Sequence, residues 1–198
     1  MKEESVTVII GWYGDANFWR PLIQRAVTSV LNQTVQPDKI LISKGNDLQS
    51  ARNVGLNVDS RYIIFLDADD ELAPRYVESM LEGEGDIRVP SVLNFRNNKL
   101  VDFSQRWYTP TNLIEGQNYI VVAPLIRTSY FKQVGGFRNL SSLEDYDLWL
   151  RMEEAGAEIR QCTKAVYKIH QREKSRSENQ NEILEKIISE AKQRRGLL

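Results

Sequence analysis

The sequence of 198 residues contains one cysteine, Cys162, and one histidine, His170. An internal disulfide is therefore impossible, and a cysteine-rich metal site is excluded. The sequence also lacks an excess of charge of either sign, since 26 basic and 27 acidic residues leave a formal net charge of -1. Such a balance gives no bulk attraction to nucleic acid or to an anionic membrane.

Long hydrophobic runs are absent as well. The apolar run after the charged N-terminus covers only residues 6–11, too few for a signal-peptide core or a membrane span. We therefore predict a protein without a transmembrane segment and with a cytoplasmic location. Hydrophobic residues make up 41% and charged residues 27%, which is typical of a globular protein, and the length favours one compact domain.

The first half of the sequence alternates between strand and helix patterns. Short apolar runs at residues 6–11, 40–43 and 62–66 predict buried parallel strands. Helical periodicity follows each run, and Asp15 or Asn17 can cap the first helix. This alternation predicts an α/β fold with a doubly wound, mainly parallel central sheet flanked by helices.

The second half is less regular and predicts a small mixed or antiparallel part. A hairpin is expected around Asn97-Asn98, and a capping box that begins at Ser177 precedes a C-terminal helix. The other elements are predicted from apolar patterns: strands over residues 86–92, 119–126, 159–162 and 165–169, and a helix over 144–156.

Three aspartates, Asp67, Asp69 and Asp70, follow the third predicted strand. Parallel sheets bind ligands at the carboxyl ends of their strands. Carboxylates this close repel one another unless a cation or hydrogen-bond donors neutralise them, and an oxygen-rich site favours Mg²⁺, Mn²⁺ or Ca²⁺. The same residues are typical of a turn before Pro74, so both interpretations stay open.

The lone histidine, His170, follows the last predicted strand. A lone histidine is more often structural than a ligand, but carboxylates together with one imidazole suit Mn²⁺. Arg172 lies close by in the sequence and can hold phosphate oxygens or belong to a solvated basic loop.

Glu144, Asp145 and Asp147 open the helix predicted over residues 144–156. The helix dipole favours acidic residues in a first turn, and Ser141 to Glu144 matches a capping box. That explanation covers Glu144 better than Asp145. A carboxylate fixed at a helix start beside a cleft is also a good general base.

Four further residues are candidates for contacts with a nucleotide. Arg52 can reach a phosphate or pair with a carboxylate such as Asp67. Asp47 can cap the second helix or accept hydrogen bonds from a base. Trp12 and Tyr13, at the end of the first strand, can stack on that base.

Taken in order, several segments resemble the family 2 glycosyltransferases, which are inverting enzymes with the GT-A fold. The resemblance covers about residues 5–177 and rests on the set rather than on any one motif. The segments are VTVII at 6–10, ARNVG at 51–55, FLDADDEL at 65–72, GGF at 135–137 followed by EDYDLWLR at 144–151, and YKIH at 167–170.

The resemblance implies a donor and a cofactor. The donor is a nucleoside diphosphate sugar, expected to be a UDP-sugar, and the cofactor is Mn²⁺ or Mg²⁺. By the same resemblance Asp67 and the adjacent Ala68 contact the donor, Asp69 holds the metal ion, and His170 is a second ligand of metal or phosphate.

The resemblance also implies that Asp145, with Glu144 beside it, deprotonates the acceptor hydroxyl. The expected acceptor is a glycan, a lipid or another hydroxyl-bearing molecule; a nucleic acid is less favoured. The implied organisation is a single domain with a nucleotide-binding half over 1–90, an acceptor and catalytic half over 91–177, and a C-terminal helix over 178–198.

The sequence departs from the family pattern at two places. Gly11 stands where the family usually has proline. Residues 43–47, SKGND, stand where the family's second strand usually ends in acidic residues and a longer Gly/Ser loop that helps to select the nucleotide base. Two rival functions stay open, a nucleotidyltransferase and a non-catalytic protein that binds nucleotide sugars.

Overall fold

The computed structural model describes residues 4–104, 113–118, 120–172 and 180–197. Its strands are β1 (Val6–Tyr13), β2 (Lys39–Gly45), β3 (Tyr62–Asp67), β4 (Glu71–Leu72), β5 (Ile87–Arg96), β6 (Lys99–Ser104), β7 (Leu125–Arg127) and β8 (Ile159–Gln171). Its helices are α1 (Ala16–Leu31), α2 (Leu48–Arg52), α3 (Tyr76–Glu82), α4 (Thr128–Gln133), α5 (Glu144–Glu154) and α6 (Gln180–Arg194), with a 3-10 helix at Asn53–Asn57.

The strands of the described residues form one mixed sheet in the order β2-β1-β3-β7-β5-β8-β4, and β6 pairs with the far end of β5. β1 runs parallel to β2 and β3, and β5 runs parallel to β8. β7 is antiparallel to both β3 and β5, so it joins the two parallel sets. The predicted α/β class is confirmed, and each antiparallel pair includes at least one strand from the second half of the chain.

The central strands are apolar throughout because both of their faces are covered. Along β3, Ile63 and Phe65 belong to one hydrophobic cluster, and Ile64 and Leu66 belong to a second cluster on the opposite face. All four side chains are at most 1% exposed. Alternate residues of a strand point to opposite faces, so a continuous apolar run is what a strand with two covered faces requires.

Three predicted strands differ in the structure. Where a strand was predicted over residues 119–126, the described residues form a strand only at Leu125–Arg127. The strands predicted over 159–162 and 165–169 are one strand, Ile159–Gln171, whose register to β5 shifts between Pro90 and Ser91. Polar residues in that bulge interrupt the apolar pattern, although the Ser91 hydroxyl still donates to the Thr163 carbonyl at 3.0 Å.

Two turn predictions have opposite outcomes. The hairpin is confirmed: Asn97 and Asn98 have φ of 50° and 60°, which suits a tight two-residue turn. The capping box from Ser141 to Glu144 is wrong, because the residue before α5 is Leu143, which has φ of 57° and makes no side-chain cap. The capping box predicted at Ser177 lies outside the described residues.

None of the described helices is long and apolar enough to cross a bilayer.

Asp147 has a structural role that its place beside Glu144 and Asp145 conceals. Its side chain is fully buried, and one carboxylate oxygen accepts from Arg138 Nε at 3.0 Å and from Arg151 Nε at 2.8 Å. Arg151 also donates to the carbonyls of Val134 and Gly136. Asp147 therefore fixes α5 to the glycine turn at residues 135–136.

We expect Asp147→Asn to lower the free energy of unfolding by about 3 kcal/mol, since removing one partner of a buried ion pair leaves the other charge uncompensated. Urea denaturation at pH 7 measures the loss. Asp59→Asn, at an exposed position, is the matched control and should leave the free energy of unfolding within about 0.5 kcal/mol of wild type. A loss no larger than that of the control would contradict this role.

Candidate functional site

A cleft of about 800 Å³ opens at the carboxyl ends of β1 and β3, bounded by the start of α5 and the end of β8. This is the edge at which the sheet order predicts a ligand site. Of the ten predicted site residues, nine line the cleft and Asp47 does not. The nine are Trp12, Tyr13, Arg52, Asp67, Ala68, Asp69, Glu144, Asp145 and His170.

Arg52, at the end of α2, joins the two sides of the cleft. Its side chain is 4% exposed; one guanidinium nitrogen donates to Asp67 and the other donates to Glu144 Oε1 at 3.1 Å. Burial by itself lowers the pKa of Arg52, but the attraction of Asp67, Glu144 and Asp145 outweighs it and raises that pKa. The sequence interpretation in which Arg52 pairs with Asp67 is confirmed.

Gly11 allows α2 to approach the sheet this closely. It pairs with Asp67 across β1 and β3, and a Cβ atom there would lie 3.2 Å from Arg52 Cγ and 3.4 Å from Ala51 Cβ. The contact with Arg52 Cγ would be tighter than ordinary van der Waals contact, so that side chain would have to shift by a few tenths of an ångström. Glycine at position 11, in place of the proline that the resemblance implies, therefore allows Arg52 to pack closely beneath the cleft.

A second close approach fixes the opposite wall. Gly136 has φ of 73°, and a Cβ atom there would lie 2.5 Å from Asn53 Oδ1. The Asn53 side chain accepts from Phe137 N at 2.8 Å and donates to the Phe137 carbonyl at 2.9 Å. The residue after Arg52 thus holds the glycine turn that precedes α5.

Asp67, Asp69 and Asp70 converge, with one carboxylate oxygen of each lying within 4.8 Å of the others. Burial, together with repulsion from Asp67, raises the pKa of Asp69. Asp70 is more deeply buried, and the same causes, with Asp69 added, raise its pKa well above the ordinary value. The cluster concentrates negative charge at the edge of the sheet.

Both carboxylate oxygens of Asp70 accept hydrogen bonds from other residues of the protein. One of its oxygens accepts from the Tyr167 hydroxyl at 2.6 Å, and the other accepts from the backbone N–H of His170 at 2.8 Å. It therefore fixes the end of β8 against the acidic turn. Asp67 and Asp69 are the two carboxylates left to face the cleft.

The His170 side chain lies beside the carboxylate cluster but does not belong to the group of three aspartates whose oxygens lie within 4.8 Å of one another. Its Nε2 is 2.7 Å from Glu71 Oε1, and its ring stacks on Phe95 with centroids 5.3 Å apart. Burial and the nearby Arg25 lower the pKa of His170. A neutral imidazole that donates from Nε2 to Glu71 keeps its lone pair on Nδ1, the atom left for a ligand.

Two arginines besides Arg52, which contacts Asp67, partly neutralise the cluster. Arg172 Nε lies 2.6 Å from Asp69 Oδ2, and its guanidinium lies 5.0 Å from the centroid of the Trp19 ring. Arg25 donates to the backbone carbonyl of Asp69 and lies 3.7 Å from Glu71 Oε1. Of these two, the sequence indicated Arg172 alone, as a possible phosphate contact.

Asp145 and Glu144 face the cleft from the start of α5 and differ in their surroundings. Glu144 is buried and committed to Arg52. Asp145 is half-buried, and its carboxylate accepts from the backbone N–H of Tyr146 at 2.7 Å. Burial, with repulsion from Glu144, raises the pKa of Asp145 to about 7. A carboxyl group with that pKa can exchange a proton near neutral pH.

The aromatic residues at the end of β1 are half-buried at the rim of the cleft. Lys44 Nζ lies 4.9 Å from the centroid of the Trp12 ring, and the rings of Tyr13 and Trp19 have centroids 6.5 Å apart. Asp47 caps α2, accepting from Ser50 N at 2.6 Å, which is the helix-capping interpretation of this residue.

Ser142 is a cleft residue that the sequence did not indicate. It is 5% exposed and lines the cleft, and its hydroxyl has no hydrogen-bond partner among the described residues. Buried hydroxyls are normally hydrogen-bonded, so this one is available to a ligand. The capping box predicted from the sequence used Ser141 instead, so Ser142 had no specific signal in the sequence.

The residues present suit a hard divalent cation. Asp67 and Asp69 offer carboxylate oxygens that face the cleft, and each contacts an arginine through one of its two oxygens. Mg²⁺ and Mn²⁺ prefer oxygen ligands and are commonly held by one or two carboxylates together with substrate phosphates. The crowding of like charges is a second feature that a bound cation would relieve.

Comparison with known proteins finds its matches in structure. Neither a family profile nor a curated protein sequence matches the chain. Among solved structures, S. aureus TarS 1-349 in complex with UDP-GlcNAc superposes with a TM-score of 0.70 at 14% identity, covering 96% of this chain and 66% of that one. The complex of TarS 1-349 with UDP gives 0.67 at 15% identity, covering 94% and 65%.

The chain therefore spans just under two thirds of the length of these two structures. At this identity the likeness shows the fold alone. The GT-A-like fold predicted from the sequence is confirmed, with a mixed, curled sheet flanked by helices.

The raised pKa of Asp145 predicts how stability depends on pH. Its carboxyl group is protonated in both states below about pH 4, the pKa of an unfolded aspartate. A penalty for the folded state grows as pH rises from there and is complete above about 7. Asp145→Asn removes this penalty, so we expect the variant to gain about 1–2 kcal/mol over wild type between pH 5 and pH 8.5.

Urea denaturation of both proteins at the two pH values provides the comparison. Asp59→Asn, whose side chain is exposed, should show no such change with pH. A difference between Asp145→Asn and wild type that stays constant from pH 5 to pH 8.5 would show that the carboxyl group titrates normally.

Proposed function

We propose that the protein is a metal-dependent glycosyltransferase that moves a sugar from a nucleoside diphosphate sugar to an acceptor hydroxyl, with inversion at the anomeric carbon. One observation carries the proposal: a single cleft places the acidic edge of β3 opposite Asp145, whose pKa is raised to about 7. The first group suits a diphosphate with its metal ion, and the second suits a proton acceptor.

The donor is proposed to be a UDP-sugar. Two of the solved structures that share the fold hold UDP or UDP-GlcNAc. In this chain Trp12 and Tyr13 would stack on the base, and Asp67, with Ala68 beside it, would contact the ribose or sugar. Asp47, which caps α2, is proposed to lie near the base.

The diphosphate would lie against Asp69. Asp69, with His170 through Nδ1 as second ligand, would hold Mn²⁺ or Mg²⁺, and that ion would neutralise charge that develops on the leaving diphosphate. Arg172 contacts Asp69. When the Asp69 carboxylate binds the metal ion instead, the Arg172 guanidinium would be able to bind phosphate oxygens.

Asp145 is proposed as the general base. The acceptor hydroxyl oxygen attacks the anomeric carbon and its proton passes to the Asp145 carboxylate, while the bond from that carbon to the diphosphate oxygen breaks. The electron pair of that bond leaves with the diphosphate. One displacement inverts the anomeric carbon. Glu144 is the weaker candidate for the base because Arg52 holds its carboxylate.

The structure of α1 disfavours the rival nucleotidyltransferase. Such an enzyme would hold phosphates at the N-terminus of the helix after β1, where backbone N–H groups are available. Here the Asp15 side chain caps α1 and accepts from Asn17 N at 2.9 Å. A carboxylate at this position repels an anion. A non-catalytic binding protein would show no turnover, so hydrolysis of UDP-GlcNAc distinguishes it from an enzyme.

The metal assignment predicts that Asp69→Asn lowers the affinity for UDP in the presence of Mn²⁺ by at least about tenfold, because a neutral amide is a poor ligand for a hard cation. Calorimetric titration of UDP with and without Mn²⁺ measures this effect. Asp59→Asn should bind UDP as wild type does. Equal metal-dependent affinity in Asp69→Asn and wild type would refute the assignment.

The base assignment predicts that Asp145→Asn lowers transfer by roughly 10²-fold, the usual scale for loss of a positioned general base. Slow hydrolysis of UDP-GlcNAc, in which water replaces the acceptor, provides the measurement. The wild-type rate should rise with pH through about 7 as Asp145 loses its proton, and the variant should lack that rise. Its affinity for UDP should be unchanged; lost affinity with turnover per bound complex preserved would place Asp145 in the donor site.

A further inference from the structure

A second, smaller cavity adjoins the cleft at Asp145. Its volume is about 220 Å³, and it shares Asn118, Val121, Asp145 and Ile169 with the larger cleft. Asp145 thus lies on the boundary between the two spaces. A general base has to reach the group that it deprotonates. If the function proposed above is correct, an acceptor bound in the smaller cavity would lie within reach of Asp145.

The sheet determines the walls of this cavity. Val92 and Asn94 lie two residues apart on β5, so their side chains point to the same face. Ser104 of β6 pairs with Val92, and Ile169 of β8 pairs with Asn94, which brings both to that face. Three adjacent strands therefore form the floor.

The chemistry of the lining is neutral. Among the described lining residues Asp145 is the only ionisable one, and the others are aliphatic side chains, a proline, two amides and a hydroxyl. No cation of these residues could balance a phosphate or a phosphodiester. An anionic group here would also meet Asp145 and the neighbouring Glu144, which raises its cost further.

The two amides are held in place while retaining groups for a ligand. Asn94 Nδ2 donates to Asp102 Oδ2 at 3.3 Å, and Asn118 Oδ1 accepts from Ile120 N at 3.1 Å. An amide side chain has two donors and two acceptor lone pairs, so each asparagine retains hydrogen-bonding capacity. The Ser104 hydroxyl adds a further donor and acceptor.

We infer that this cavity binds one neutral sugar residue of the acceptor, with Asn94, Asn118 and Ser104 as the residues that recognise its hydroxyl groups. A sugar ring combines aliphatic C–H faces with hydroxyls at its edge, which matches an aliphatic floor with amides and a hydroxyl around it. The volume lies below the range of about 300–1,000 Å³ that drug-sized ligands occupy, so it suits one ring rather than a chain segment.

The inference rests on the proposed function for its meaning, but the binding test needs no donor. Saturation-transfer NMR would compare methyl β-D-glucopyranoside, methyl β-D-galactopyranoside and methyl N-acetyl-β-D-glucosaminide with glucose 6-phosphate, which has a ring of the same size with an added charge. We expect signal from at least one neutral glycoside and at least a fivefold weaker signal from glucose 6-phosphate.

Variants then locate the binding. Ser104→Phe fills the cavity from β6 and should reduce the glycoside signal at least fivefold. Val101→Phe adds the same ring at an exposed position of the same strand that does not line the cavity, so it should bind as wild type does. Asn94→Ala is a second test that adds no bulk, and thermal melting confirms that each variant is folded.

Three results would overturn the inference: no signal from any neutral glycoside, an equal or stronger signal from glucose 6-phosphate, or glycoside binding that both cavity variants leave unchanged. Titration of UDP with Mn²⁺ on the same samples separates this outcome from failure of the proposed function. Retained UDP binding without glycoside binding refutes the sugar cavity alone. Glycoside binding in a protein that does not bind UDP refutes the proposed donor site alone.

Discussion

The buried guanidinium of Arg52 is the interaction on which the site depends. It lies between Asp67 at the end of β3 and Glu144 at the start of α5, and so connects residues that are 77 positions apart in the sequence. Loss of one partner from such a buried group costs several kcal/mol, because the remaining charges stay out of water without compensation. Asn53, the next residue, holds the turn before α5 through Phe137. One short segment thereby sets the distance between the two walls of the cleft.

Charge is distributed unequally across the site. The edge at β3 combines crowded carboxylates with three arginines, Arg25, Arg52 and Arg172. The described residues that line the smaller cavity beside Asp145 are otherwise neutral. The charged side suits a ligand that brings both phosphates and a cation, and the neutral side suits a ligand without charge. Asp145 lies where these environments meet, and its raised pKa follows from burial on one side and a nearby carboxylate on the other.

Much of the site was predictable because strand ends determine where polar residues collect. Asp67, Asp69 and the pair at residues 144–145 follow or begin elements whose patterns are strong, and nine predicted residues line one cleft. Other features had no local signal. The predicted capping box began at Ser141 and did not indicate Ser142, and Leu143 instead precedes the helix in a left-handed conformation. The wall of the smaller cavity includes Asn94 and Ser104, whose polar side chains are ordinary for residues near a hairpin.

The sequence by itself determined the α/β class, the apolar central strands and the carboxylates at their ends, since these depend on periodicity and on residue type over a few positions. Tertiary structure alone decided which side chains meet. The two-residue strand β4 pairs with β8 across about 100 positions, and this pairing places His170 on Glu71 and gives both oxygens of Asp70 to β8. The tertiary structure also decided that Asp147 is buried between two arginines whereas Asp145 faces the cleft. Neighbours in sequence acquired different roles because a helix turns each successive side chain by about 100°.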